Sequence, residues 1–328
     1  MRKDDKACVV RSWVGKPRPV GSSGVKHRSK DAVDMITYDF QQNLETPNLQ
    51  HNDMFYKRQL WTYNFGIHDC VSNQGYMFMW DQTTAKHRSV EVANCLYDFL
   101  TEFNTGASYS DGCLGQNRNK MIVALYAELH RIGVYKVLNH KYLVRGHTFL
   151  QNDTDFSQIK KRKKSAVVYL QEDWCKIVRE ANTVKPFVVR EMRQPDFKDW
   201  RSFLESRYQP IVKDRDGKRV RILDAHWLNF CRGEEKDPII GQTQMVQHPD
   251  KVWLRYGFST DEPWKKVNIR RRRHQKDANQ TPGRLYPARL KVVPAKLEDL
   301  QQMAAFVPEP QRQFYLTMEA AEPEPKDK

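Results

Sequence analysis

The chain has 328 residues, 39% of them hydrophobic and 11% aromatic, enough to bury a sizeable core and too apolar for a disordered polymer. Its 55 Lys and Arg exceed its 40 Asp and Glu by a formal +15, a surplus that favours polyanionic partners because Lys and Arg displace counterions from phosphates. Six scattered cysteines without a CxxC pair speak against a zinc ribbon or disulfide scaffold, and no signal peptide or apolar run of membrane-spanning length is present, so no membrane partner is expected.

Residues 1–32 are basic and turn-rich, and read as a tail or linker. Val33–Phe40 reads as a strand. Trp61, Tyr63, Phe65 and Ile67 alternate with Thr62, Asn64 and Gly66, the period of a half-buried strand, and Val71–Gln74 turns into a third strand, Gly75–Trp80. The period then becomes helical over Ser89–Phe103, where Val92, Leu96, Phe99 and Phe103 share a face and Ser89 is the N-cap candidate. Ala107–Asp111 is a short strand, Asn117–Ile132 a helix stopped by Gly133, Val137–Val144 a fifth strand and Asp153–Lys164 a third helix. A connecting helix is expected within 165–185.

The order β-β-β-α-β-α-β-α predicts an α/β domain over residues 33–185 with a ribonuclease H-like mixed sheet. Three antiparallel strands come first, and alternating helices and strands then set two more strands beside the first. Residues 186–306 read as a second, smaller and more irregular region. It has short strands at Phe187–Met192 and Val220–Leu223, a turn at Asp214–Gly217, and Trp227, Phe230 and Trp253 as core. Its stretch 265–296 holds eleven Lys and Arg against one acid, Asp277, and is a candidate for nucleic-acid contact. Residues 307–328, with four prolines and five acids, read as a disordered tail.

Asp39 lies inside the first strand, where a carboxylate is costly unless it meets solvent, a partner or a metal. Asp111 ends the fourth strand, a neighbour of the first in this topology, and Asp153 or Asp155 arrives at the start of the last helix. Convergent carboxylates need cations, and hard oxygen ligands suit Mg²⁺ or Mn²⁺. Two such ions can drive in-line phosphodiester displacement. Taken singly, each Asp has an ordinary alternative as a turn or cap residue.

Other candidates are weighed the same way. Gln116, Asn117 and Arg118 place polar donors at a helix N-terminus, which favours a phosphate, with N-capping by Asn117 as the structural alternative. Two basic clusters, Lys160–Lys164 (with Lys161, Arg162 and Lys163) and Arg270–His274 (with Arg270, Arg271, Arg272 and Arg273), suit a DNA backbone or a nuclear-import signal, so a nuclear location is expected. Trp264 and Tyr286 flank the second cluster and suit either base stacking or core packing. His68, Asp69 and Cys70 are consecutive, which fits a hairpin better than a zinc site, and His140 in mid-strand is expected to pack. His147, beside the third acid, could protonate a leaving group.

Five runs together carry a resemblance: Asp39-Phe-Gln-Gln-Asn-Leu-Glu-Thr-Pro, Arg58-Gln-Leu-Trp-Thr-Tyr-Asn-Phe-Gly-Ile-His-Asp-Cys, Tyr76-Met-Phe-Met-Trp-Asp-Gln-Thr-Thr-Ala, Ser110-Asp-Gly-Cys-Leu-Gly-Gln-Asn-Arg-Asn and His140-Lys-Tyr-Leu-Val-Arg-Gly-His-Thr. Over about residues 33–300 the chain resembles a transposon-derived, ribonuclease H-like domain family of animal genomes. The resemblance implies transposase or nuclease ancestry and DNA as partner. It also implies a homodimer, because transposition uses two active sites on paired ends. Asp39, Asp111 and Asp153 match the family's recurrent acids, His147 its Gly-His motif, and Asp155 only some members. The chain departs from the pattern at Leu114, where the family has Gly, at Gln151-Asn152, which lacks its Pro, and at Lys160, where it commonly has Glu. Two expectations follow: a metal-dependent DNA transposase or nuclease, or a domesticated descendant that binds DNA without cutting it.

Overall fold

The structure, a computed structural model, describes residues 35–103, 107–113, 115–135, 137–143, 150–209, 212–213, 217–230, 232–236, 243–247, 251–271 and 281–322. The expected tail at 1–32, most of the turn at Asp214–Gly217, and Leu114, His147, Arg272 and Arg273 lie outside the described residues.

The sheet is built around β1 (Met35–Phe40). A three-residue strand the sequence did not announce, β2 (Leu44–Thr46), pairs with the start of β3 (Leu60–Asp69). Strand β3 lies antiparallel to β1 on one side and to β4 (Gln74–Asp81) on the other. On its far side β1 runs parallel to β5 (Ala107–Ser110), and β5 parallel to β6 (Leu138–Tyr142). The fold is therefore mixed α/β around a mixed parallel and antiparallel sheet.

Side-chain alternation gives the sheet two unlike faces. Ile36, Tyr38, Phe65, Ile67, Phe78 and Trp80 build the main core with α1 (Ser89–Glu102) and α2 (Lys120–Arg131). Helix α1 starts one residue after its cap: Glu91 accepts the Arg88 backbone N–H, so Ser89 is not the N-cap. Asn119, rather than Asn117, caps α2 by accepting the Met121 and Ile122 amides, each at 3.1 Å. Gly133 closes α2 at φ +83°, a conformation that favours glycine.

The opposite face of β3 is polar: Thr62, Asn64, Gly66 and His68 are all buried on it or lie against it. It is covered by α3 (Gln151–Lys163) and α4 (Gln171–Arg179), which bury Ile159, Trp174 and Val178 on Met77 and Met79 of β4. Asn152 donates to the Gly66 carbonyl at 3.0 Å, and a Cβ at residue 66 would stand 2.7 Å from the Phe156 ring. Helix α3 thus rests on backbone at the one rung without a side chain.

Residues beyond 185 do not form a separate region. Val33–Lys328 is one compact unit, and β7 (Val188–Glu191) pairs in parallel with β4. Helix α5 (Trp200–Arg207) packs on α2, and the Tyr208 hydroxyl and the Arg131 and Arg207 guanidinium groups converge on buried Glu128. Strands β8 (Val212–Lys213) and β9 (Arg219–Val220), two residues each, pair antiparallel, and the chain then enters a 3₁₀ turn at Ile222–Asp224 where a strand was expected. Strand β10 (Trp227–Phe230) pairs antiparallel with β6. The hairpin of β11 (Arg232–Lys236) and β12 (Thr243–Gln247) follows it, and β13 (Lys251–Arg255) and β14 (Lys265–Asn268) extend the sheet to its edge. Trp227 and Phe230 are buried as expected, whereas Trp253 is only half-buried.

The segment expected to be a disordered tail is folded through Glu322, the last described residue. Helices α6 (Pro294–Met303) and α7 (Arg312–Leu316) bury Leu300, Met303, Val307 and Tyr315 against Met54 and Leu60. The Tyr315 hydroxyl donates to the Tyr169 carbonyl. Among the described residues no helix is long and apolar enough to cross a membrane.

Candidate functional site

Parallel pairing of Tyr38 with Ser110 puts Asp39 and Asp111 on the next rung, side by side on the sheet face that α3 covers. Asp39 is half-buried and accepts the Phe40 amide at 2.8 Å. Burial, then the Asp111 charge, pushes its carboxyl up to about 7; Asp153 adds to the rise, while the Phe40 amide and the Asn117 side chain oppose it. Asp111 accepts the Asn117 amide at 2.7 Å and the Cys113 backbone at 3.1 Å. Asn117 is wholly buried between the two carboxylates, and its Oδ1 meets no donor among the described residues.

The third acid comes from the first turn of α3. Asp153 is exposed and accepts the Leu150 amide at 2.9 Å, closing the helix N-terminus while adding its charge to the field at Asp39. As the side chains stand, no group of three His, Cys, Asp or Glu among the described residues forms a ready metal cluster. The three acids are electrostatic neighbours without being drawn together.

Asp155 belongs elsewhere. It is buried, and its Oδ2 lies 2.7 Å from His68 Nδ1, tying α3 to β3. His68 therefore serves this buried pair and an Asn73 contact at 3.2 Å. Lys160, Lys161 and Arg162 are exposed on the later turns of α3, and Lys163 pairs with Glu45 of β2.

The polar run after Asp111 faces inward. Gln116 is half-buried against His87, Asn117 holds Asp111, and Arg118 donates to the Ala225 carbonyl at 3.0 Å while lying over the Tyr142 ring. Of the second basic cluster, Arg270 is half-buried, and Arg271 donates to the Glu205 and Tyr208 carbonyls at the end of α5. Tyr286 is a packing residue, its hydroxyl bonded to Glu91. His140 is fully buried, as expected, 2.8 Å from Ser108 Oγ and 3.3 Å from Ser110 Oγ; burial, then the Arg118 charge, lowers its pKa to about 3.

Sequence reasoning missed a second feature on the acidic face. Two residues before Asp111 along the strand, and so on the same face, Tyr109, Lys141, Trp227 and Arg255 line up across β5, β6, β10 and β13. Lys141 Nζ lies 3.9 Å from the Trp227 ring centre, and the Arg255 guanidinium lies 5.3 Å from the Trp227 ring and 4.2 Å from that of Trp264. The preceding rung carries Trp253 and Lys266, with the Lys266 ammonium 5.0 Å over the indole. The signal was present as charged and aromatic residues alternating with Leu228, Phe230, Val252 and Leu254, but reading it required knowing that these short strands are neighbours.

Residues 56–225 match the family model described as a domain of unknown function (DUF7869), just over half of the chain. No curated protein matches the chain.

Proposed function

The chain belongs to the DUF7869 family, and from that premise we propose that it is a transposase- or nuclease-like protein with a ribonuclease H-like core, acting on DNA phosphodiesters with Mg²⁺ or Mn²⁺. The observation that carries this reading is the shared rung of Asp39 and Asp111 at the ends of two parallel neighbouring strands, with Asp153 on the helix above them. The strand order β4-β3-β1-β5-β6, with only β3 reversed relative to its neighbours, supports the ribonuclease H-like reading and the resemblance to transposon-derived proteins. DNA as the partner, a nuclear location and a homodimer on paired ends belong to the same proposal.

The donor set fits a hard divalent cation: three carboxylates, and a buried Asn117 Oδ1 that meets no donor among the described residues. Asp39, Asp111 and Asp153 would hold the ions, which when bound activate a water or 3′-hydroxyl and stabilise the leaving oxygen. Asn117 orients Asp111 through its amide. Asp155 is left out of the proposed ligand set because His68 engages it.

A second reading, a domesticated module that binds DNA without cutting it, is favoured by Lys160 and by acids that do not form a ready cluster. Isothermal titration of Mn²⁺ into the wild type and into Asp39→Ala/Asp111→Ala, each with and without a DNA duplex, separates the two. Binding that the double variant loses supports the catalytic reading, and divalent-dependent cleavage should follow. A wild type that binds no Mn²⁺ in either condition, with its fold intact by circular dichroism, leaves the second reading.

A further inference from the structure

The rungs beside the acids carry cations set on aromatic rings, and their arrangement bears on what the protein grips. Lys141 and Arg255 flank the Trp227 indole, Arg255 also covers Trp264, and Lys266 covers Trp253. Rings under a cation attract it through their quadrupole and so restrict where a long side chain points. The Trp227 Nε1 and Asn229 Nδ2 both donate to Asn139 Oδ1, at 3.0 and 2.9 Å, which fixes the indole in turn. Arg255 donates to the Ser259 carbonyl at 3.3 Å, and its buried Nε has no acceptor among the described residues. These are cations held in place on a sheet face rather than swinging in solvent.

That face differs from the one behind it. Behind, Leu228, Phe230, Val252, Leu254 and Val267 join the main core. In front, α3 and α4 bury apolar side chains on β4, and Lys141, Trp227 and Arg255 are buried farther out, whereas Trp253, Trp264, Asn139, Asn229 and Lys266 stay half-buried. From β5 to β13 the buried row beneath them spans three strand spacings, about 14 Å. It lies about 7 Å, two residues along the strand, from the rung of Asp39 and Asp111. Tyr109 joins the two, with Lys141 over its ring at 5.8 Å and Leu150 packed beside it, next to Asp153.

We infer that the outer sheet face presented by Trp253, Trp264 and Lys266, over the buried layer of Lys141, Trp227 and Arg255, is a binding track for single-stranded DNA beside the acidic site. The inference rests on the proposed function and names its substrate form. An ordered cation, Lys266, next to the half-buried Trp253 and Trp264 indoles suits a strand whose phosphates and base faces are both accessible. A duplex offers its phosphates but keeps its base faces stacked away from the indoles. The chain's +15 charge supplies general attraction to any nucleic acid, so the track must be identified by site and by strand form.

The test is fluorescence anisotropy of a labelled 20-nucleotide single strand and its duplex, with the full chain in EDTA across a salt series. Lys266→Gln is the variant least exposed to folding effects, because that side chain is half-buried at the sheet's outer strand. Arg255→Gln/Lys266→Gln removes in addition the buried guanidinium that orders Trp264, and Lys161→Gln/Arg162→Gln on α3 is the control. We expect the single strand to bind tighter than the duplex. The track double variant should bind it about 10-fold weaker, with the slope of log K against log salt reduced by roughly 0.7, for one lost phosphate contact on a single strand. Lys266→Gln should show the same loss of slope with a smaller loss of affinity, and the control less of both. Tighter binding to the duplex, or wild-type affinity and slope in both track variants, overturns the inference; so does an equal loss in the control. Loss of DNA by the track variants in a protein that binds no Mn²⁺ would sink the metal reading and leave the track standing. Mn²⁺ binding with DNA affinity unchanged by the track variants would do the reverse.

Discussion

His140 and Asp39 should push the protein's stability in opposite directions as pH falls, and this can be measured. His140 is fully buried between two serine hydroxyls, and its pKa drops to about 3 in the fold, against about 6.5 in an unfolded chain. The folded state refuses a proton that the unfolded state accepts, so this contribution is intact above about pH 6.5 and is lost as pH falls toward 3. Asp39 behaves inversely. Its folded pKa of about 7 exceeds its ordinary 3.8, so the folded state takes the proton first, and acidification from 7 toward 4 stabilises. Integrated from pH 7.5 to 5.0, His140 costs about 2 kcal/mol and Asp39 returns about 2–3 kcal/mol. In the wild type the two nearly cancel. Urea denaturation in EDTA at both pH values, for wild type, His140→Gln and Asp39→Asn, exposes each separately. Relative to the wild-type change, acidification should favour His140→Gln by about 2 kcal/mol and disfavour Asp39→Asn by a similar amount. Because only differences between pH values are compared, any packing defect in a variant drops out. A pH dependence common to all three proteins within about 0.5 kcal/mol would refute the electrostatic reasoning.

Gly66→Ala would bring a Cβ to 2.7 Å from the Phe156 ring and 3.2 Å from Asn152 Nδ2; we expect a loss of about 1–3 kcal/mol in urea denaturation, and a loss below about 0.5 kcal/mol would show that α3 does not rest on this rung as described. Tyr315→Ala removes a fully buried ring that closes the cluster around Leu300 and Met303; it should cost about 3–5 kcal/mol and lower the melting temperature by roughly 10 °C, and an unchanged melt would contradict the packing of the C-terminal segment.

The inner strands were legible because their chemistry is local. The alternation from Trp61 to Ile67 and the helical face of Val92, Leu96 and Phe99 are visible within one window, and both elements form. Strand β2 was not legible, since three residues cannot display a period. The outer strands are four or five residues long, with one apolar face and one cationic, aromatic face. Their membership of the main sheet depends on β6 pairing with β10 some 90 residues later, which no local pattern encodes. The C-terminal prolines and acids implied disorder, but Leu300, Met303, Val307 and Tyr315 meet an apolar patch at Met54 and Leu60 that composition cannot reveal. At the site, the placement of Asp39 and Asp111 followed from strand order. Asp155 could have been separated from Asp153 by helical geometry, because residues two apart on a helix point about 200° apart. Asn117 was assigned to a helix that begins only at Lys120, so its side chain serves the turn before it.

Strand β1 stands between β3 and β5, yet the family model matches this chain only from residue 56. A gene fragment trimmed to 56–225 would leave those two strands with a slot instead of a shared neighbour, and would expose at β6 the edge that β10 now occupies. Such a fragment should come out of expression insoluble, an outcome that would say nothing against the full chain. A reading confined to the same stretch would meet Asp111 and Asp153 of this chain without Asp39, and would lose one of the two acids that share a rung.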